Sequence, residues 1–286
     1  ALDNLVVAET ATYTADELCG PPASTWGWRD PGPIHTAKVV GAARGARVSY
    51  VLLTLPDGPA SDVFTTTVPP AVGPDAALNL AAFGDLGRGA FDDASSWLEY
   101  GAPAKHTAAA LAADAAAGAL DAIYHIGDLS YAVGMSAVWD LYAHMMAPAT
   151  SRVPYFVNVG NHEYDAPTAA FSRLGRVRSH YNGSDSGGEC GVPTHRQYLA
   201  PLAPLDAPWY SLELGPAHVV AMSTEHDFRR GRAQHAWLAA DHPDRFKIWY
   251  TVDRPPKKWA YSEGFISAEM IADHLPGPSN DTLVLM

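Results

Sequence analysis

The chain has 286 residues, 48% of them hydrophobic and 17% charged, enough to bury the core of one large domain or two smaller ones. Its formal net charge of -12, with 19 Lys and Arg against 31 Asp and Glu, opposes attraction to nucleic acid or anionic lipid. No apolar run approaches the roughly 18 residues that a membrane span needs, so a soluble protein with neither nucleic acid nor membrane as partner is expected.

Residues 1–70 are rich in Thr, Val, Tyr, Pro and Gly, and short alternating stretches at His35–Val40 and Arg47–Leu53 lie between turn clusters, which predicts part of a β-sandwich. Ala1 stands where Met would, and no leader segment is read at the terminus, so localisation does not follow from it. Pro69-Pro70-Ala71-Val72-Gly73-Pro74 resists both helix and sheet interior and predicts a linker. Beyond it strands and helices alternate, as in an α/β layered domain. Leu78–Phe83, Asp121–Ile126 and Tyr155–Val159 are predicted strands. Pro103–Gly118 opens with Pro and closes with Gly, as a helix does. A second helix is predicted over Ser136–Ala147, with Val138, Leu141, Tyr142 and Met145 on its apolar face. Residues 165–207 lack periodicity and predict a long surface excursion, followed by strands at Trp209–Leu214 and His218–Met222 and a helix starting near Gly231. Cys19 and Cys190 form no C-x-x-C pair, so neither a zinc knuckle nor a redox motif is indicated, and they read as two unpaired or locally buried thiols. Asn182-Gly183-Ser184 and Asn280-Asp281-Thr282 are glycosylation sequons that mildly favour a secreted glycoprotein.

Each of the three predicted parallel strands delivers glycine and an oxygen ligand at its carboxyl end: Gly84-Asp85-Leu86-Gly87, Gly127-Asp128-Leu129-Ser130-Tyr131 and Gly160-Asn161-His162-Glu163. Ligand sites of α/β sheets favour that edge. Carboxylate, phenolate and amide oxygens suit hard or borderline metal ions, and glycine beside a ligand lets the backbone approach closely. The separations of 43 and 33 residues between Asp85, Asp128 and Asn161 leave room for a crossover helix each time, so the spacing fits one shared site.

These blocks resemble GD-x-G, GD-x-x-Y and GNH-D/E of the purple acid phosphatases. The text around them, His125–Ala132, Gly187–Pro193 and Met222–Asp227, resembles the large plant and algal members over roughly residues 5–238. The resemblance implies a dinuclear-metal acid phosphatase that hydrolyses phosphate monoesters or nucleotide phosphates by a metal-bound hydroxide. Asp85 and Tyr131 would bind Fe(III), Asp128 would bridge, and Asn161 would hold a second divalent metal, Zn, Mn or Fe. His162 would act as the catalytic outer-shell group. It also implies a fibronectin type III-like module at residues 1–70, carried by Cys19–Ala23 and Gly27–Gly32, and a secreted, cell-wall or vacuolar protein. The other histidines, His125 among them, have no assigned role and read as surface or core residues.

Two further blocks of that family, V-x-x-H and GH-x-H, are absent, and with them three imidazole ligands. Residues 240–286 instead resemble the NADH-binding part of NADH-cytochrome b5 reductases, a predicted βαβ piece. Its strand is expected at Phe246–Val252, its helix from the cap Ser267 to Leu275, and its final strand at Asp281–Met286. The expected organisation is therefore an all-β domain over 1–70, an incomplete α/β metallophosphoesterase domain over 71–238 and a reductase-like fragment over 239–286. NADH is a cofactor only if that last fragment is functional. Asp253 in place of the V-x-x-H histidine is a further alternative. Little or no phosphatase activity is expected, and the competing readings are a pyridine-nucleotide oxidoreductase fragment and a non-catalytic β-sandwich binding protein. No feature sets an oligomeric state.

Overall fold

The structure, a computed structural model, describes residues 4–88, 102–241, 251–252, 257, 262–263 and 267–274. The chain divides into two compact units, Ala1–Gln234 and His235–Met286.

In the first unit, four short strands precede residue 70. β1 (Glu9–Ala11) pairs antiparallel with β2 (Ile34–Thr36), and β3 (Arg47–Tyr50) pairs antiparallel with β4 (Phe64–Thr67). The β-rich composition is thus realised as two separate two-stranded ladders, each shorter than the alternating stretches that announced it. In the connection from β1 to β2, Tyr13, Leu18, Cys19 and Ala23 are buried in the same core as Ile123 and Val157.

The centre is a parallel sheet in the order β5 (Leu80–Phe83), β6 (Ala122–His125), β7 (Tyr155–Val157), with Phe83 opposite His125 and His125 opposite Val157. All four residues of β6 are buried, as a middle strand covered on both faces requires. Helix α1 (Ala102–Ala117) connects β5 to β6 and packs on α2 (Ser136–Thr150), which connects β6 to β7. The buried face of α1 is Ala104, Ala108, Leu111 and Ala115, at helical spacing, and Gly118 at φ 71° ends it as predicted. In α2 the face is rotated from the expected one: Val138, Trp139, Tyr142, Met146 and Ala149 are buried, whereas Leu141 is 38% exposed.

Residues 165–207 hold more structure than their composition announced. After α3 (Asn161–Tyr164) come α4 (Thr168–Leu174), the turn α5 (Val192–Thr194) and a π-helical turn at His195–Leu199. The hairpin β8 (Tyr210–Leu214) and β9 (Ala217–Ala221) follows, then helix α6 (Ala233–Asp241). Cys19 and Cys190 are joined in a disulfide with Cα atoms 5.9 Å apart, which corrects the expectation of two unpaired thiols. Their chain separation of 171 residues is bridged by the fold: the Cys19 N–H donates to the Gly188 carbonyl at 2.8 Å and the Ala23 N–H to the Gly187 carbonyl at 3.1 Å.

In the second unit β10 (Thr251–Val252) pairs parallel with β11 (Ser262–Glu263), a strand too short to carry a sequence signal, and α7 (Ala268–His274) follows. Ser267 caps α7 as expected, its Oγ accepting the Met270 N–H at 3.2 Å. The predicted strand over Asp281–Met286, most of that over Phe246–Val252, the Asp253 alternative and the second sequon lie outside the described residues. Among the described residues no helix is long and apolar enough to cross a membrane.

Candidate metal-binding site

Pairing between β5 and β6 does not stop where the strands do. The N–H groups of Asp85, Leu86 and Gly87 donate to the carbonyls of Gly127, Asp128 and Leu129 at 3.2, 3.1 and 2.9 Å, which carries Asp85 alongside Asp128 beyond the carboxyl edge of the sheet. Asp85, Asp128 and Tyr131 all adopt left-handed backbone, with φ of 57°, 54° and 49°. Non-glycine residues avoid that region, so three in one site mark a backbone held by its surroundings. Gly127 and Gly160 permit the close approach of the second and third loops. A Cβ on Gly127 would meet the Gly160 nitrogen at 2.8 Å, and one on Gly160 would meet Asp128 Oδ1 at 2.1 Å.

The Tyr131 hydroxyl joins the two acidic strand ends, lying 2.8 Å from Asp85 Oδ1 and 3.1 Å from Asp128 Oδ2. The other Asp128 oxygen accepts the His162 N–H at 3.2 Å, and the His162 ring lies against that of Tyr131 with centroids 4.2 Å apart. Burial pushes the Asp128 carboxyl up, and burial together with the hydrogen bond to Asp85 pushes the Tyr131 phenol up, so the bridging proton is held firmly. Asn161, at the start of α3, gives its side-chain N–H to Asp185 Oδ2 at 2.9 Å. Asp85, Asp128, Tyr131 and His162 are therefore brought together in direct contact, whereas the amide of Asn161 is engaged by a neighbour.

Several acidic residues with no role assigned from the sequence shape this site. Glu163 is 1% exposed and accepts three backbone N–H groups: Asp128 at 2.8 Å, Leu129 at 2.8 Å and Gly160 at 3.0 Å. It fastens the second loop to the third. Burial, and then the charge of Asp128, push its carboxyl up to about 7. Glu189 holds the far end of the second loop, accepting the Gly134 N–H at 3.1 Å and Trp139 Nε1–H at 3.1 Å. Glu225 is 3% exposed, its Oε2 has no hydrogen-bond partner among the described residues, and burial followed by the charges of Asp165 and Asp128 raises it to about 7. What marks these acids is their burial, which is visible only after folding. His125, buried behind the sheet edge, lies 3.0 and 2.8 Å from the Tyr142 and Tyr155 hydroxyls, and burial lowers it to about 3, so it is a neutral core residue.

Asp85, Asp128 and Tyr131 supply a convergent set of oxygen donors. Among the described residues no group of three or more His, Cys, Asp or Glu side chains could hold a metal ion, and the Tyr131 hydroxyl lies between the two carboxylates. The described residues make an oxygen half-site and do not fit a dinuclear centre.

Comparison with known proteins bears out both resemblances. Residues 78–189 match the calcineurin-like phosphoesterase family, and residues 217–286 match the oxidoreductase NAD-binding domain. The chain is 34% identical over 255 residues to the "Probable inactive purple acid phosphatase 27" of Arabidopsis thaliana, covering 88% of this chain and 39% of the relative. It superposes on the purple acid phosphatase PPD1 from yellow lupin (Lupinus luteus) seeds with a TM-score of 0.75 and 30% identity, covering 86% of this chain and 42% of that one. The chain has a purple acid phosphatase-like fold of mixed α/β content. Over 49 residues the chain is 59% identical to NADH-cytochrome b5 reductase 2 of Xenopus laevis, 17% of each chain. The chain thus spans about two fifths of the length of the phosphatases it matches.

Proposed function

We propose that this chain carries the oxygen half of a purple-acid-phosphatase-type site, inherited from a hydrolase of phosphate monoesters or nucleotide phosphates, and that as it stands it turns over little or no phosphate ester. The observation that carries this reading is the Tyr131 hydroxyl shared between Asp85 and Asp128, in a site whose described residues include no histidine ligand set. Oxygen donors alone favour hard cations and hold Zn or Fe(II) weakly, whereas imidazole would favour them. In the complete site Fe(III) would engage Asp85, Tyr131 and Asp128, and the Asn161 amide oxygen would serve the second ion while its N–H stays on Asp185. Metal analysis with a visible spectrum after exposure to Fe(III) and Zn(II) tests the proposal. The expected result is a protein without a bound pair of metals, whatever Fe(III) alone it takes up. A purple protein holding both would overturn it, because the second ion requires ligands beyond the oxygen half-site, the colour itself marking only a Tyr131 phenolate on iron.

The proposal extends to the surroundings of the site. Residues 1–70 are read as the fibronectin type III-like module, supported by their antiparallel ladders. A secreted, cell-wall or vacuolar location is supported by the Cys19–Cys190 disulfide, since such bonds persist in oxidising compartments. A second reading, favoured by the reductase-like match, is that residues 217–286 contact a pyridine nucleotide. NADH titration followed by nucleotide fluorescence checks it: with no glycine-rich phosphate loop in this stretch weak saturable binding is expected, and no binding would overturn the reading.

A further inference from the structure

The two sulfurs of the disulfide have different surroundings. Cys19 lies on the wall of a cavity of about 280 Å³, together with Asp16, Gly20, Pro21, Ser24 and Arg173, whereas Cys190 does not line it. Arg173 is fixed at that wall by bonds from Nη2 to the Leu18 and Cys19 carbonyls at 3.0 and 3.2 Å. Cys190 is fully buried on the other side, and its Sγ accepts a hydrogen bond from Arg176 Nη1 at 3.0 Å. The Arg176 side chain is 10% exposed and held by two further bonds to Asp206 Oδ1, at 2.9 and 2.7 Å, and by the rings of Tyr164 and Phe171. Cys19, although only 4% exposed, therefore borders space that a small molecule could enter, and the Cys190 sulfur faces a fixed cation.

In thiol–disulfide exchange a thiolate bonds to one sulfur while the other departs with the electron pair, and departure is faster when the leaving thiolate is stabilised. A guanidinium beside a sulfur provides that stabilisation. We propose that Cys19 is a modification site for small thiols and that the disulfide opens in one direction. An incoming thiolate in the cavity forms a new S–S bond with Cys19 Sγ, the Cys19–Cys190 bond breaks, and Cys190 leaves as a thiolate paired with Arg176. With a monothiol the product is a mixed disulfide at Cys19 and a free thiolate at Cys190. With a dithiol, its second thiolate attacks the mixed bond, releases Cys19 as a thiolate and leaves the dithiol oxidised. Asp16 opposes entry of the anion and Arg173 favours it. The bonds from Cys19 to Gly188 and from Ala23 to Gly187 are independent of the sulfurs and keep the segments in register after cleavage.

The test is regiochemical and uses the oxidised full chain. Reduced glutathione is added at neutral pH, the reaction is stopped with acid, free thiols are alkylated with N-ethylmaleimide, and both cysteines are read by peptide mass spectrometry. Glutathione is expected on Cys19 in at least about fivefold excess over Cys190. Equal labelling, an excess on Cys190, or a disulfide that stays intact under conditions that cleave a cystine-containing peptide would each overturn the proposal. Arg176→Gln is expected to slow cleavage at least about fivefold, and Arg176→Lys to retain most of the rate. Because Arg176→Gln also breaks a buried ion pair, Asp206→Asn provides the second variant. It leaves the guanidinium charge undivided, so faster cleavage is expected, and an unchanged or slower rate counts against the role of Arg176.

Discussion

Glu163, Glu189 and Glu225 are buried acids without a cationic partner among the described residues, raised to about 7, 8 and 7. Glu189 is faced by two neutral donors, Gly134 N–H and Trp139 Nε1–H, by the charge of Glu163 on α3, and by the Tyr13 phenol from the N-terminal segment, whose own ionisation it opposes. Its folded value of about 8 lies above the ordinary 4.5, so the folded state binds the proton more tightly. The resulting stabilisation is fully present below about 4.5 and is lost as pH rises through about 8. Glu189→Gln, which is neutral throughout, is expected to flatten the decline in urea midpoint between pH 5 and pH 8, and a slope equal to that of the parent would refute this assignment. Glu163 acts by geometry, since two of its three N–H partners meet Oε2. A Gln there turns an amide N–H toward at least one of them, and urea unfolding should record a loss of about 1–3 kcal/mol.

Within α2 the choice of face has measurable consequences. Trp139 is 2% exposed and tied to Glu189, whereas Leu141 is 38% exposed. Trp139→Ala is therefore expected to cost about 3–5 kcal/mol and Leu141→Ala less than about 1 kcal/mol, read from chemical unfolding. A helical period of apolar residues announces that a helix has a buried side, but Trp139 and Leu141 both belong to plausible stripes, and only the position of Glu189 selects between them. The same division runs through the site. The three strand ends were legible because glycine, an oxygen ligand and a preceding apolar run lie within a few residues of one another. The partners of Glu163 in the second loop lie 34 and 35 residues away, and Gly134 lies 55 residues from Glu189, separations for which sequence offers no pattern. The helical content of residues 165–207 was hidden for a related reason. That stretch packs Phe171, Val192 and Leu199 into the core, one residue at a time rather than along a repeating face.

For the whole molecule, the disulfide is the longest-range covalent constraint. Closing a loop of 171 residues restricts the unfolded chain by about 5 kcal/mol in the chain-entropy view. A Cys19→Ser, Cys190→Ser double variant should therefore unfold at clearly lower urea than the oxidised parent, and equal midpoints would show that the hydrogen bonds to Gly187 and Gly188 suffice. The same separation sets a clock during synthesis. At about 5–20 residues per second, Cys190 follows Cys19 out of the ribosome after roughly 10–35 s. For that interval the thiol of Cys19 is exposed on a nascent chain whose partner does not yet exist, and any oxidant nearby can offer it only a foreign sulfur. The segment around Cys19 is consequently made well before the partner that secures it.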